Sequence, residues 1–305
     1  MSENKRKKVL LIVNPCAGRT KSRAGTFEIV DKFSKNDYEF TVRTTACQGD
    51  ATNIVKKELD KHDMVVCCGG DGTLNETVNG VMDMPRRVPI GYIPSGSTND
   101  LATTLGIPKD IKEATDLIMS GQLNDYDVGL FNNRYFTYVA SFGAFTRVSY
   151  STPQSIKNAL GHTAYVLESI NELSQIRKEY IRIEVDGQVI EDDFIFGAIS
   201  NSTSVGGILT LDPKQVDMGD GMFELLLVRA PKSLLELSEG LQAIQSQRYN
   251  DCKMITFLSA RKLKIYADPR MPWTLDGERE DGHETVEVEN LHRAIRLIQR
   301  RNTYA

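Results

Sequence analysis

Residues 64–73 read MVVCCGGDGT, so five apolar residues run directly into a turn with three glycines and one aspartate. An apolar run without polar alternation is typical of a strand that is buried on both faces of a sheet. The next residues, 74–82, read LNETVNGVM and have the spacing of a helix. A buried strand, a glycine-rich turn and a helix predict one unit of a parallel sheet that carries helices on both faces.

The same alternation of strands and helices fills roughly the first 110 residues. The predicted strands are Val9–Val13, Tyr38–Thr45, Met64–Cys68 and Val88–Ile93, and the predicted helices are Thr20–Ser34, Asp50–Lys61, Leu74–Met82 and Thr98–Leu105. We therefore expect an N-terminal α/β domain built on a doubly wound parallel sheet.

The second half has mostly strand patterns and predicts an antiparallel β-sandwich-type domain with helical inserts. The predicted strands are Arg134–Ser141, Tyr180–Val185, Gln188–Ser200, Met222–Arg229, Ile255–Ala267 and Glu284–Asn290, with helices at Ser155–Gln175 and Ser233–Gln245. The pair Asp186-Gly187 predicts a hairpin turn. We expect domains at 1–127 and 128–305, with the last segment, about 290–305, packing back on the first domain.

Composition limits the possible partners and the cellular compartment of this protein. The chain has 305 residues, a net charge of −4 and five cysteines without metal-type spacing. The negative charge argues against nucleic acid as a partner. The odd number of cysteines favours a role as small buried apolar side chains, which fits a reducing cytoplasm. No apolar run approaches the ~20 residues that span a bilayer. The basic run Lys5–Lys8 suits anionic headgroups, so any membrane contact is expected to be peripheral.

Three strand-to-helix turns of the first half are polar and rich in glycine: Asn14–Gly18, Gly69–Thr73 and Pro94–Asp100. In a parallel sheet these turns emerge at one edge, where ligands bind. Each turn offers backbone N–H groups at a helix start, which suits phosphate oxygens. The chain has no Gly-Lys pair, which excludes a Walker A loop, and Asn75 stands where the dinucleotide fingerprint needs its third glycine.

Two acidic positions point to phosphoryl transfer. Asp71 lies inside the middle turn, where phosphates would repel its carboxylate unless Mg²⁺ lies between them, although an aspartate also holds a turn through its own side chain. Asp276-Gly277-Glu278 places two carboxylates around a glycine, which is a hairpin pattern in its own right. A carboxylate positioned there can accept the proton of an attacking hydroxyl.

A family resemblance rests on three segments. The Gly69–Thr73 run, the PSGSTNDLA run at Pro94–Ala102 and the LDGE run at Leu275–Glu278 occur in the order and at about the separations of the diacylglycerol kinase catalytic-domain family. The chain resembles that family, and in particular its soluble bacterial lipid kinases, from about Lys8 to about Arg296. The resemblance implies a first domain like those of NAD kinases and phosphofructokinases, with ATP and Mg²⁺ as cofactors.

The resemblance also implies roles for individual residues. Glu278 would be the general base, and Asp71 would work with the catalytic Mg²⁺ in an acidic network with Asp100, Asp127 and Asp276. The ATP-binding residues would be Asn14, Pro15, Gly18, Thr45, Gly69, Gly70, Asp71, Gly72, Thr73, Leu74, Asn75, Ser97, Asn99 and Asp100. Ser97 stands where the family usually has threonine, and either hydroxyl can contact phosphate or metal.

A second, structural Mg²⁺ is implied in the β-rich domain, held by the carboxylate of Asp220 and the backbone carbonyls of Asp217 and Met222. The implied partner is a lipid at the membrane surface, with diacylglycerol, converted to phosphatidic acid, as the first expectation. The protein would then visit the inner face of the membrane transiently. The family also suggests a homodimer.

Other interpretations stay open from the sequence. A kinase of a soluble substrate is one, because NAD kinases and phosphofructokinases share the Gly-Gly-Asp-Gly-Thr turn. A regulator that binds nucleotide or lipid without turnover is another. Among lipid kinases, ceramide or sphingosine, phosphatidylglycerol and a polyprenol or acylglycerol each offer a suitable hydroxyl.

Overall fold

The fold is described from a computed structural model, which covers residues 6–17, 21–143, 177–205 and 209–300. Gly18 and the predicted helix Ser155–Gln175 lie outside these residues. The chain divides into two compact units: one runs up to Val128 and resumes at Leu291, and the other is Gly129–Asn290.

The first unit is a parallel sheet with helices on both faces. Its strands pair in the order β2-β1-β3-β4-β17, and β5 also pairs with β17. The bounds are β1 Lys7–Val13, α1 Lys21–Ser34, β2 Tyr38–Thr44, α2 Asp50–Glu58, β3 Met64–Gly69, α3 Asp71–Met82, β4 Ile90–Pro94, α4 Asp100–Thr104, α5 Ile111–Ser120, β5 Gln122–Phe131 and β17 Thr285–Gln299.

Both faces of this sheet are apolar because each carries a helical layer. Val9 and Leu11 of β1 pack in one cluster with Phe33 of α1 and Ile118 of α5. On the other side α2 and α3 pack closely at Gly80, where a Cβ would lie 2.6 Å from Cβ of Val55. The continuous apolar strands of the sequence are thus explained by burial on two sides.

The second unit is antiparallel. Its strands follow the order β16-β15-β7-β9-β8-β14-β17, with β12 on β9 and β13 on β12. The bounds are β6 Arg134–Phe136, β7 Val139–Gly143, β8 Glu179–Val185, β9 Gln188–Ser200, β10 Ser204–Val205, β11 Leu209–Thr210, β12 Phe223–Arg229, α6 Leu234–Gln245, β13 Ile255–Ala260, β14 Lys262–Tyr266, β15 Trp273–Leu275 and β16 Glu278–Glu280.

The core of the second unit is rich in aromatic side chains. Trp273 is 1% exposed and lies edge-on against Phe131 and Phe142, with ring centroids 5.0 Å apart in both pairs. Edge-to-face pairs of this kind contribute about 0.5–1.5 kcal/mol beyond the area that they bury. The predicted fold class, an α/β domain followed by a β-sandwich-type domain, is confirmed.

Several predicted elements differ in extent. The strand predicted at Ile255–Ala267 is two strands, β13 and β14, which bind different neighbours. The strand predicted at Arg134–Ser141 is also broken, between β6 and β7. Helix α5 was not predicted, although Asp110 caps it by accepting a hydrogen bond from the Glu113 N–H at 3.0 Å.

The hairpin predicted at Asp186-Gly187 is confirmed, since Val185 pairs with Gln188 and both turn residues have positive φ. Two positive φ values in a two-residue loop are those of a type I′ turn, which suits the twist of the strands. Among the described helices, each is too short or too polar to cross a bilayer.

Candidate functional site

The strand order of the first unit fixes where a ligand can bind. The chain passes from β1 outward to β2, and β3 then returns to the opposite side of β1. At such a reversal the two following turns diverge and leave a crevice at the carboxyl ends of the strands. The turns after β1 and β3 are those that begin at Asn14 and Gly69. The predicted phosphate-binding turns therefore meet at the position where open α/β sheets bind ligands.

Asn14 joins these two turns. Its Nδ2 donates to Oγ1 of Thr73 at 2.9 Å, and its Oδ1 accepts from the Cys16 N–H at 2.9 Å. Because one side chain holds both the turn after β1 and the start of α3, the two groups of backbone amides have a fixed spacing. Pro15 is partly buried in the same turn.

The turn after β3 lies against the turn after β4. A Cβ on Gly96 would lie 2.6 Å from Cα of Gly70, and a Cβ on Gly70 would lie 3.1 Å from Cα of Gly96. The Ser95 N–H donates to the Gly69 carbonyl at 2.8 Å. The glycines thus allow two backbones to touch, which brings the peptide groups of both turns to one place.

Asn99 holds the third turn together from inside. It is 3% exposed and has a φ of +55°. Its Oδ1 accepts from the Gly96 N–H at 2.9 Å and from the Tyr92 hydroxyl at 3.2 Å, while Nδ2 donates to the Gly96 carbonyl at 2.8 Å. We expected Asn99 to contact the cofactor. In this structure its side chain shapes the turn, and Ser97 and Thr98 are exposed at the tip.

Asp71 and Asp100 are the first residues of α3 and α4. The turns that precede these helices touch at Gly70 and Gly96. Burial, followed by nearby charges that include these two carboxylates, raises the pKa of Tyr92 well above its ordinary value. The sheet edge therefore brings together two carboxylates that are far apart in sequence.

The remaining predicted ATP-binding residues differ in exposure. Gly72 is partly buried in the first turn of α3, and Thr45 is partly buried beyond β2, where its N–H donates to the Val13 carbonyl at 3.0 Å. Leu74 and Asn75 are 1% and 5% exposed. These last two side chains face the interior, so they support the start of α3.

Glu76 is a residue that the sequence analysis missed. From α3 it accepts hydrogen bonds from the Gly49 N–H at 2.7 Å and the Ala51 N–H at 3.1 Å. The carboxylate thereby satisfies donors at the start of α2 and fixes the loop that follows Thr45. No sequence signal points to this role, since Glu76 lies 25 and 27 residues from its partners.

In the second unit, the Asp276 carboxylate accepts hydrogen bonds from several backbone amides. It is 3% exposed and accepts from the N–H groups of Thr137, Tyr138 and Val139 at 2.6, 2.9 and 3.0 Å and from the Thr137 hydroxyl at 2.7 Å. We expected Asp276 in the acidic network around a metal. In this structure its oxygens accept from the N–H groups of residues 137–139 and anchor the hairpin. Because these N–H groups bind a side chain and not a neighbouring strand, β6 and β7 are separate strands.

Glu278 follows directly after that anchored turn. Asp276 and Gly277 have φ values of +49° and +82°, and Leu275 pairs with Glu278, so the loop is a two-residue hairpin turn. The Glu278 carboxylate lies 3.7 Å from the Arg134 guanidinium, and its side chain is 26% exposed. A tight turn, an anchored base and an arginine partner hold this carboxylate in place while leaving it accessible.

Asp127 is buried at the end of the first unit. Its Oδ1 accepts from the Arg293 N–H at 2.7 Å and lies 3.1 Å from Nδ1 of His292. Arg293 has a φ of +49°, which is uncommon for a residue other than glycine. We expected Asp127 near the metal as well; the contacts in this structure connect β5 to an irregular point of β17.

The region of the predicted structural metal is a compact turn before β12. Oδ1 of Asp220 accepts from the Met222 N–H at 2.9 Å, and Oδ1 of Asp217 accepts from the Gly219 N–H at 3.0 Å. The Met222 carbonyl accepts from Nδ2 of Asn290 at 2.9 Å. Within the described residues no three acidic, histidine or cysteine side chains are grouped to hold a metal.

Glu224 is buried beside this turn and was not predicted. It is 2% exposed, and its Oε2 has no hydrogen-bond donor in the described part of the chain. Burial, followed by the negative charges of Asp220 and Asp217, raises the pKa of Glu224 to about 8. Oε2 of Glu224 is thus a buried acceptor without a donor, and it lies beside other carboxylates. This arrangement fits a cation that is held by one carboxylate and by carbonyl oxygens.

Two protein-family models match this chain. A model of the diacylglycerol kinase catalytic domain matches residues 8–131, and a model of the YegS C-terminal NAD kinase beta sandwich-like domain matches residues 139–299. A diacylglycerol kinase of Bacillus subtilis is 33% identical over 294 residues, which are 96% of each chain. The chain belongs to the diacylglycerol kinase family.

Two further matches agree with membership of the diacylglycerol kinase family. A diacylglycerol kinase of Staphylococcus carnosus is 33% identical over 274 residues, covering 90% of this chain and 89% of that one. The crystal structure of a diacylglycerol kinase from Bacillus anthracis has a TM-score of 0.76 at 25% identity, covering 98% of this chain and 99% of that one. The predicted family is confirmed.

This diacylglycerol kinase family member is accordingly a lipid kinase. Its family implies ATP as the phosphate donor and a lipid as the acceptor. The two other classes that the sequence left open, a kinase of soluble substrates and a regulator without turnover, are set aside by this relationship.

The contact between Gly70 and Gly96 gives a direct test of the first-unit site. We expect Gly96→Ala to weaken ATP binding by more than about tenfold, because the new methyl group would push the two turns apart. Gly240→Ala is the matched control, since its Cβ would meet only the flexible end of Met254, at 3.1 Å. Isothermal titration with ATP measures the effect, and equal affinities for both variants would contradict the role of this contact.

Proposed function

We propose that this lipid kinase transfers the γ-phosphate of ATP to the free hydroxyl of diacylglycerol, giving phosphatidic acid, with Mg²⁺ as the metal. The observation that carries the proposal is the meeting of three glycine-rich turns at the β1/β3 reversal, with Asp71 and Asp100 at the helix starts behind them. Phosphate-binding amides and carboxylates side by side are what a metal-bound triphosphate requires.

The ATP phosphates would lie on the backbone amides of the turns after β1, β3 and β4. The Asn14–Thr73 hydrogen bond, at 2.9 Å, keeps the first two turns at a constant distance. The Gly70–Gly96 contact keeps the turns after β3 and β4 at a constant distance. Because these amides are positioned before the nucleotide arrives, little reorganisation is needed when charge develops in the transition state.

The carboxylates of Asp71 and Asp100 fit Mg²⁺. This ion usually takes one or two protein carboxylates and completes its shell with phosphate oxygens and water. Asp71 and Asp100 begin the helices that follow two turns in contact at Gly70 and Gly96, and two carboxylates match that number. When bound, Mg²⁺ supplies charge neutralisation at the transferred phosphate. In this proposal Asp127 and Asp276 act indirectly, through the backbone that they hold.

Glu278 would remove the proton from the attacking hydroxyl as its oxygen bonds to the γ-phosphorus. The bond between that phosphorus and the β,γ-bridging oxygen of ATP breaks in the same step, and ADP leaves. The anchored hairpin limits its movement, and Arg134 orients the carboxylate. A base held in one geometry contributes through position as well as basicity.

Diacylglycerol is the proposed acceptor because relatives that share this chain's whole length carry the name diacylglycerol kinase. Its hydroxyl lies at the membrane surface, so we propose that the enzyme works there, from the cytoplasmic side. Ceramide, sphingosine and phosphatidylglycerol offer similar hydroxyls and serve as comparison substrates.

The test is transfer of radiolabelled γ-phosphate from ATP into mixed micelles that contain each lipid in turn. We expect product with diacylglycerol, dependence on Mg²⁺, and a loss of at least about 10²-fold for Asp71→Asn. Asp83→Asn is the matched control, because Asp83 lies at the other end of α3 and pairs with Lys56. Product with another lipid alone would overturn the proposed substrate, and full activity of Asp71→Asn would overturn the proposed metal site.

A further inference from the structure

A basic pocket lies on the first unit, away from the glycine-rich edge. Its volume is about 300 Å³, and its charged lining residues are Lys8, Arg43, Lys57, Lys61, Glu39 and Glu58. Ligand pockets range from about 300 to 1,000 Å³, so this one suits a small polar group. The pocket begins at the amino end of β1, whereas the phosphate-binding turns follow the carboxyl ends of the strands.

The pocket is built on an edge strand. Among the described strands β2 pairs with β1 alone, and its residues Glu39, Thr41 and Arg43 alternate along the chain and therefore share one face. The opposite wall comes from the end of α2 and the single 3₁₀ turn Leu59–Lys61 that follows it. His62 closes this wall, with Nδ1 2.8 Å from the Glu58 carbonyl and Nε2 2.9 Å from the Thr41 hydroxyl.

The ion pairs leave an excess of positive charge. Lys8 lies 3.4 Å from Glu39, and Arg43 lies 2.7 Å from Glu58. No carboxylate of the described chain lies within ion-pair distance of Lys57 or Lys61. Since the whole chain has a net charge of −4, this local excess does not reflect the overall balance.

Lys57 lies near the end of α2 and Lys61 ends the 3₁₀ turn that follows, and both line the pocket. Like charges that line one small pocket repel each other. A bound anion would remove that repulsion, and a phosphate group offers several acceptor oxygens to two ammonium groups at once.

We propose that this pocket binds a phosphate-bearing anion through Lys57 and Lys61. The source is either the headgroup of an acidic phospholipid, which would hold the enzyme at the membrane surface, or a free phosphate compound. The proposal is independent of the catalytic edge, since none of the lining residues belongs to the glycine-rich turns.

The experiment compares the wild-type protein with the double variant Lys57→Ser/Lys61→Ser. The control removes the same charge from Lys109 and Lys112, two exposed lysines at the start of α5. One arm measures co-sedimentation, without ATP, with vesicles of phosphatidylcholine that contain or lack phosphatidylglycerol. The other arm follows binding of inorganic phosphate by calorimetry with the nucleotide site filled.

We expect the pocket variant to lose about tenfold to thirtyfold in binding to acidic vesicles, and the control variant to lose much less. A loss confined to the vesicle arm assigns the pocket to a lipid headgroup, and a loss confined to inorganic phosphate assigns it to a free phosphate compound. Equal behaviour of the two double variants in both arms would overturn the proposal. A lower melting temperature with unchanged binding would also overturn the proposal, because the lysines would then only stabilise the carboxyl end of α2.

Discussion

Replacing Glu278 by glutamine is expected to lower the rate of phosphoryl transfer by about 10²–10⁴-fold, the usual contribution of a general base. Glutamine keeps the size of the side chain and its contact with Arg134 but cannot accept a proton at neutral pH. The affinity for ATP should change little, because a general base acts on the acceptor hydroxyl and does not hold the nucleotide. Steady-state kinetics would therefore show a lower kcat with a nearly constant KM for ATP.

Glu280 provides the control for this prediction. It lies on the same strand, two residues further on, and contacts the same Arg134 guanidinium. Glu280→Gln removes the same charge from the same neighbour, so a general electrostatic effect would slow both variants equally. A role as base predicts a large loss for Glu278→Gln only. If both variants kept near-normal turnover, the proton would have to leave by another route.

The stability of the protein is expected to fall as pH rises between about 4.5 and about 8, because of Glu224. Burial and the charges of Asp220 and Asp217 raise the pKa of this carboxyl from its ordinary value of 4.5 to about 8. Within that window the folded protein keeps a proton that the unfolded chain has released. The free energy of unfolding therefore decreases with increasing pH, by an amount on the order of a few kcal/mol.

Chemical denaturation at several pH values, in the presence of a chelator, measures this slope. Glu224→Gln should flatten it and should be more stable than the wild-type protein near pH 8, because an amide is never charged. Glu239→Gln, an exposed substitution on α6, should keep the wild-type slope. Added Mg²⁺ should restore wild-type stability at pH 8 if a cation is held beside Glu224. A variant slope equal to that of the wild-type protein would mean that Glu224 does not titrate in this range.

The features that sequence predicts well here are local. Burial on both faces of β1 and β3 follows from uninterrupted apolar runs, and the turn at Asp186-Gly187 follows from the need for two positive φ values. The meeting of the glycine-rich turns at one edge of the sheet also follows from local pattern, because parallel strands bring their following turns together. Each of these conclusions requires neighbours only a few residues apart.

What could not be predicted depends on distant partners. The donors that occupy Asp276 lie 137–139 residues earlier in the chain, and Arg293, which donates to Asp127, lies 166 residues later. An aspartate in a family motif suggests a metal ligand, but a carboxylate is satisfied equally well by several backbone N–H groups. The high pKa of Glu224 likewise arises from burial, which a single glutamate in a strand pattern does not reveal.

The position of β17 has a consequence for how the protein is made. Leu297 of this strand pairs with Ile90 of β4, so the first unit acquires its final strand about 200 residues after β4 has been synthesised. At typical translation rates the ribosome needs roughly 10–40 s for that stretch. During this time one side of β4 is an open strand edge, which is prone to pair with other chains. The nascent protein therefore carries an exposed strand edge until β17 has been synthesised and has paired with β4, and a chaperone that covers this edge would have its greatest benefit in that interval.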